Sequence, residues 1–172
     1  DSLPRAIETW TKPPNFDSIA QRIAVIATKT GNRNLDYGMF IAEAISTSAI
    51  YKDDQGVAFD FKAMCKTGSE NHWGANTCVP TVSSAEYQRY LKFIVQKAVA
   101  VGVRHILFGQ TGHQDPDQAL NSVLPQLRSI ASAQGKQLLI GQQPNGHQPE
   151  AYLKQFDYIV GPAYVDQDIS EK

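Results

Sequence analysis

Four groups of polar side chains follow short segments that read as strands: Lys29, Thr30 and Asn32; Gln110, Thr111 and His113; Gln142, Gln143 and Asn145; Tyr164 and Asp166. In a parallel α/β fold the carboxyl ends of the strands share one face, and ligands bind there. Side-chain amides donate and accept hydrogen bonds, as sugar hydroxyls do, and aromatic rings such as Trp73 and Tyr164 suit the apolar faces of sugar rings. The set therefore predicts a carbohydrate site whose binding residues are Lys29, Gln110, His113, Gln142, Asn145, Trp73 and Tyr164. Gln110 stands just past a strand, where a catalytic group would be placed. An amide cannot serve as acid, base or nucleophile, so any proton transfer must rest on another residue.

Glycoside hydrolysis generally uses two carboxylates, about 5 Å apart when configuration is retained and further apart when it is inverted. Glu43 is the first candidate, because it lies between apolar residues in "FIAEAIS" and burial there would suit a general acid; the competing reading is a glutamate on the solvent face of a helix. Asp36 is the proposed catalytic partner, with Asp60 as a further candidate. Asp157 opens a strand and is expected on the opposite face, in a structural role.

Of the four histidines, His105 starts a strand and reads as structural, whereas His113 and His147 sit in loops at strand ends. With Asp115 they would suit a metal or a proton shuttle, but no ligand spacing supports a metal, and no cofactor is predicted. His72-Trp73 reads as either a sugar subsite or loop packing. "KTGNRN" follows a candidate strand as phosphate-binding loops do, yet contains neither GxxxxGK[ST] nor GxGxxG. "DSL" lacks the preceding strand and the downstream histidine of a serine hydrolase, and no Gly-x-Ser-x-Gly occurs.

These residues need elements to position them. A chain of 172 residues with 42% hydrophobic residues is enough for one domain with a sizeable core. A net charge of -1 without a Lys/Arg cluster argues against a nucleic-acid partner. No apolar run approaches the roughly 18 residues of a membrane span. The start at Asp1 is read as a processed or trimmed end. Cys65 and Cys78 lie 13 positions apart in a Gly/Asn/Ser-rich loop; the expected disulfide favours a secreted or periplasmic protein, the alternative being two free thiols.

"RIAVIA", residues 22–27, is β-branched and apolar, which predicts a buried strand. Residues 39–51 read as either helix or strand, "VAFDF" as a short alternating run, and 65–82 as a long loop. From Ser83 the pattern sharpens. Ser83-x-x-Glu86 fits a capping box, and Tyr87, Tyr90, Leu91, Ile94, Val95 and Ala98 form a helical stripe ending at Gly102. "HILF" is a strand. Asp115-Pro116 reads as the start of a helix whose stripe runs from Leu120 to Ala131 and closes at Gly135. "QLLIG", "PEAYLKQF" and "DYIVG" read as strand, helix and strand. Helices alternating with strands argue for a parallel sheet.

The segment "HWGANTCVPTVSSAEYQRYLKFIVQKAVAVGVRHILFGQ" resembles glycoside-hydrolase-type (β/α)8 barrels, in which a Trp/Cys/Pro loop runs through a barrel helix into the next strand. "LRSIASAQGKQLLIGQQPN" and "YLKQFDYIVGPAYV" are similar to the same pattern, so the resemblance covers roughly residues 70–165. It implies a barrel fold and action on a saccharide. Two departures stand out. The families commonly carry Asp where Gln110 stands and Glu near Gly161 and Pro162. A full barrel takes about 250 residues, and five or six strands are counted here.

The reading is a single α/β domain over residues 1–172, a parallel β/α barrel or a fragment of a larger one, with a doubly wound open sheet as the alternative. The expected function is acid/base hydrolysis of an oligo- or polysaccharide. The alternatives are a non-catalytic carbohydrate-binding or interaction module, and a small doubly wound domain holding a phosphate-bearing ligand after Ala27.

Overall fold

The computed structural model describes residues 2–9, 11–32 and 34–161. In chain order they form β1 (Ser2–Glu8), α1 (Phe16–Thr30), β2 (Asp36–Ile41), β3 (Ile45–Ser46), β4 (Thr77–Cys78), α2 (Ala85–Ala100), β5 (Val103–Phe108), α3 (Thr111–Gln114), α4 (Leu120–Ala133), β6 (Leu139–Gln142), α5 (Glu150–Leu153) and β7 (Tyr158–Ile159). Five strands make one parallel sheet in the order β1-β2-β5-β6-β7. Spatial order follows chain order without a reversal. A doubly wound sheet reverses at a switch point, so that alternative does not describe this chain. The arrangement is that of a barrel arc, but among the described residues the sheet stays open, with β1 and β7 as its edges, and no closed barrel is formed.

Two faces cover this sheet differently. Met39 and Ile41 of β2, Ile106 and Phe108 of β5 and Ile140 of β6 belong to one core with Tyr87, Leu91, Ile94 and Val95 of α2 and Leu120, Val123, Leu124 and Leu127 of α4. Phe40, Ala42 and Leu107 form a separate cluster on the other face, with Tyr158 against it. Period-2 alternation along each strand sends neighbouring residues to opposite faces. Tyr158 lies across Gly141, where any side chain would collide with its ring, and its hydroxyl donates to the Ile106 carbonyl at 3.2 Å.

The structure corrects several sequence expectations. "RIAVIA" is not a strand; it is the middle of α1. The helical repeat Phe16, Ile19, Ile23, Ile26 runs through it, Asn15 caps the start by accepting from Ser18 N, and Gly31 ends it at φ 65. The β-branched run fits a strand only in a six-residue window. The sheet's first strand lies earlier, at β1. The capping box does not form. Ser84 caps α2 and accepts from Tyr87 N at 3.3 Å, while Glu86 accepts from Asp60 N and pairs with Arg89. "VAFDF" makes only an isolated bridge, Ala58 with Lys52. Helix α4 begins at Leu120 rather than at Pro116, although Asp115 still caps it across an intervening turn, accepting from Ala119 N at 2.6 Å and Leu120 N at 3.1 Å.

Candidate functional site

Glu43 stands two residues past β2 and is 1% exposed. Gln110 stands two residues past β5, the neighbouring strand, and its Nε2 donates to Glu43 Oε1. Glu43 Oε2, buried as well, has no hydrogen-bond partner in the protein. Gly109 makes room for this carboxylate: a Cβ there would lie 2.5 Å from Glu43 Oε2 and would overlap the Phe40 ring. Gln110 adopts φ 33, ψ 60, a left-handed conformation that costs a non-glycine residue on the order of 1 kcal/mol or more.

The long loop before α2 covers this pair. The Cys65–Cys78 disulfide is formed, and β4 pairs antiparallel with β3, Ile45 with Cys78 and Ser46 with Thr77. The loop is thereby fastened to the chain just past Glu43. Trp73 donates its indole N–H to the Glu43 carbonyl at 3.1 Å and remains 38% exposed. Its ring packs edge-on to His72, centroids 4.7 Å apart, and to His113 of α3 at 6.4 Å. A carboxylate, an amide and three aromatic rings thus meet at the ends of β2 and β5.

A second polar layer lies beneath the loops. Gln114, fully buried, donates to the Gly109 carbonyl and accepts from Tyr87 Oη at 2.9 Å. Burial, and then the charge of Glu43, push the Tyr87 phenol well above its ordinary value. Tyr152 Oη donates to Asp115 Oδ2 at 2.7 Å. Burial raises the Asp115 carboxyl despite that bond and two backbone donors. On β6, Gln142 Oε1 accepts from Thr111 Oγ1, which accepts from Gln148 Nε2 at 2.7 Å. Asn145 Oδ1 accepts from Gly112 N at 2.8 Å.

The predicted site residues therefore separate into groups. Glu43, Gln110, Trp73 and His113 come together. Gln142 and Asn145 stand at the correct end of the sheet, but their side chains bond to α3. Asp36 opens β2, so at about 3.3 Å per residue it stands roughly 20 Å from Glu43, at the opposite end of the strand; it is not placed to act with Glu43. Lys29 lies on the exposed last turn of α1, with Thr30 beside it, because the strand expected before them is a helix. The phosphate-loop reading falls with it, since Gly31 terminates a helix instead of opening one. Asp60 turns its own loop, accepting from Lys62 N and Ala63 N. Asp157 is structural, accepting from Ile140 N at 2.7 Å and pairing with Arg128. Tyr164 and Asp166 lie outside the described residues. Among the described residues no group of three or more His, Cys, Asp or Glu could hold a metal ion. Gln114 and Gln148 were not predicted as site residues, since nothing in an isolated amide marks burial, and Thr111 was read only as one of the polar residues past β5.

No protein-family model and no curated protein matches the sequence. Solved structures do. A GH27 β-L-arabinopyranosidase from Geobacillus stearothermophilus, both as the wild-type enzyme and as a variant in complex with arabinose, superimposes with a TM-score of 0.51 over 89% of this chain at 14% identity. The fold is glycoside-hydrolase-like. The chain spans 37% of the length of that enzyme. An α-galactosidase from Thermus thermophilus in complex with stachyose matches at a TM-score of 0.44 and 14% identity, covering 81% of this chain and 41% of that one. At such identity the glycoside-hydrolase-like likeness speaks for the path of the chain and not for its chemistry.

Proposed function

We propose that the carboxyl ends of β2 and β5 hold a carbohydrate, with Glu43 as the group that accepts a sugar hydroxyl and Trp73 as the ring beside it. One observation carries this reading: Glu43 Oε2 is buried and without a partner while Oε1 is held by Gln110. A buried carboxylate oxygen is costly unless something donates to it, and a hydroxyl is the donor that amides and aromatic rings best accompany. The similar arabinopyranosidase is seen in complex with arabinose, which is consistent with the same class of ligand. The disulfide supports an oxidising, extracytoplasmic setting, and among the described residues no helix is long and apolar enough to cross a membrane.

Recognition without cleavage is favoured over hydrolysis on a specific ground. Hydrolysis by paired carboxylates needs a second acid, and β5 is followed by Gln110, while both oxygens of Asp115 are occupied by backbone and side-chain donors and Asp157 Oδ2 is held by Ile140 N and Arg128. In the hydrolytic reading Glu43 is the acid/base and its partner comes from elsewhere. Calorimetric titration with short gluco-, xylo- and galacto-oligosaccharides, with mass spectrometry of the products, separates the two. Binding without new products, weakened in Glu43→Gln, is the expected result. Cleavage abolished by Glu43→Gln would establish hydrolysis. Absence of both binding and cleavage would refute the carbohydrate reading.

A further inference from the structure

Four buried side-chain polar atoms among the described residues have no partner, and three of them, Glu43 Oε2, Gln142 Nε2 and Gln148 Oε1, belong to the carboxyl-terminal side of the sheet. Native proteins leave few such atoms, so their gathering at one end calls for a common cause. Two of the three belong to a single relay. Gln148 Nε2 donates to Thr111 Oγ1 at 2.7 Å, and Thr111 Oγ1 donates to Gln142 Oε1. What the relay leaves over is one donor, on Gln142, and one acceptor, on Gln148.

That remainder is the same in the observed orientation and when both amides are turned over together. If both are turned over, Gln142 donates to Thr111 and Thr111 donates to Gln148, leaving an acceptor on Gln142 and a donor on Gln148. The threonine hydroxyl has one proton to give, so at most one of the two amides can turn its oxygen toward it. One donor and one acceptor are what a single hydroxyl group satisfies. Gln142 pairs in register with Phe108 of β5, two residues before Gln110, so the relay lies one strand over from the Glu43 site. Gln148 is half-buried in the segment after β6, beside the exposed Gly146 and His147, which places the relay one side chain below the surface.

We propose that Gln142, Thr111 and Gln148 form a second subsite that takes one hydroxyl oxygen of the bound carbohydrate in place of a water. This rests on the carbohydrate reading of the neighbouring site. Water and an alcohol share this chemistry but differ in one respect: water has two O–H donors and a sugar hydroxyl has one. Gln148→Glu uses the difference. Glutamate can only accept, so Thr111 donates to it and in turn accepts from Gln142, leaving two acceptors. Water still satisfies both, but a sugar hydroxyl cannot.

The test is calorimetric titration of wild type, Gln148→Glu and Gln148→Met with the same gluco-, xylo- and galacto-oligosaccharides, alongside crystal structures with and without the sugar. Wild type is expected to bind, both variants to bind about tenfold more weakly with far-UV circular dichroism unchanged, and an oxygen between the two amides in the free protein to be replaced by a sugar oxygen. Three results would each overturn the subsite: equal affinity in the variants, a water that persists beneath the bound sugar, or the two amides bonded directly to each other. Failure of wild type to bind any sugar would overturn the carbohydrate reading and the subsite together, and the wild-type titration alone would report it.

Discussion

The indole N–H of Trp73 is bonded at 3.1 Å to the backbone carbonyl of Glu43, 30 residues earlier in the chain. This contact ties the disulfide loop to the end of β2 and fixes a partly exposed ring against the backbone of Glu43. Trp73→Phe keeps a ring and removes the donor, leaving a carbonyl unpaired, so it is expected to cost about 1–2 kcal/mol in urea unfolding. Trp73→Ala removes the ring too and is expected to lower oligosaccharide affinity further than Trp73→Phe does. Equal affinities for the two variants would remove the ring from the ligand contact.

Gly109 is required by its neighbours rather than by its backbone. Because a Cβ would press on both Phe40 and Glu43 Oε2, Gly109→Ala is expected to destabilise the fold by about 1–3 kcal/mol and to weaken sugar binding by displacing the carboxylate. A stability within error of wild type in chemical denaturation would contradict this packing.

The disulfide closes a loop with a sequence separation of 13. The replacement Cys65→Ser with Cys78→Ala is expected to cost about 3 kcal/mol on the chain-entropy model. It should also loosen Trp73, seen as a red shift and stronger quenching of its fluorescence. Unfolding at the same denaturant concentration as the oxidised protein would count against this account.

Two carboxyls give stability opposite pH dependences. The Arg89 guanidinium, and then the Asp60 N–H, hold Glu86 below its ordinary 4.5 against the opposing effect of burial. The native pKa lies below the unfolded one, so this contribution is present above pH 4.5 and is lost as pH falls through the lower native value. Burial raises Asp115 above its ordinary 3.8. Here the native state binds the proton more tightly, so the contribution is present below pH 3.8 and is lost as pH rises through the higher native value. Stability measured against pH should therefore flatten on the acid side in Glu86→Gln, and Asp115→Asn should gain on wild type as pH rises from 3.8. Parallel curves would refute both assignments.

The cap of α2 distinguishes pattern from geometry. Ser84→Ala is expected to cost about 1 kcal/mol, because its Oγ accepts from Tyr87 N and donates to the Ala63 carbonyl. Ser83→Ala removes only an exposed bond to Asp117 and is expected to cost a small fraction of that. The reverse order in thermal melts would restore the capping box.

The sequence by itself determined the second half of the fold. From α2 onward the helical stripes, the short apolar strands and the closing glycines at 102 and 135 each carry their own period, and local propensity and tertiary packing demand the same element. It also marked Glu43, Gln110, Trp73 and the cysteine pair, because their types are informative wherever they fall. The tertiary structure decided the rest. The six-residue window at Arg22 fits strand and helix equally, and only the cap at Asn15 and the packing of Phe16 and Ile19 make it α1. That one choice moves Lys29 to a helix end and gives the first strand to β1. Asp36 and Glu43 are seven residues apart in sequence, but an extended strand between them puts them at opposite ends of the sheet. The relay of Gln142, Thr111 and Gln148 brings together residues from three segments, and which polar atoms have partners depends on three-dimensional packing that no local pattern records.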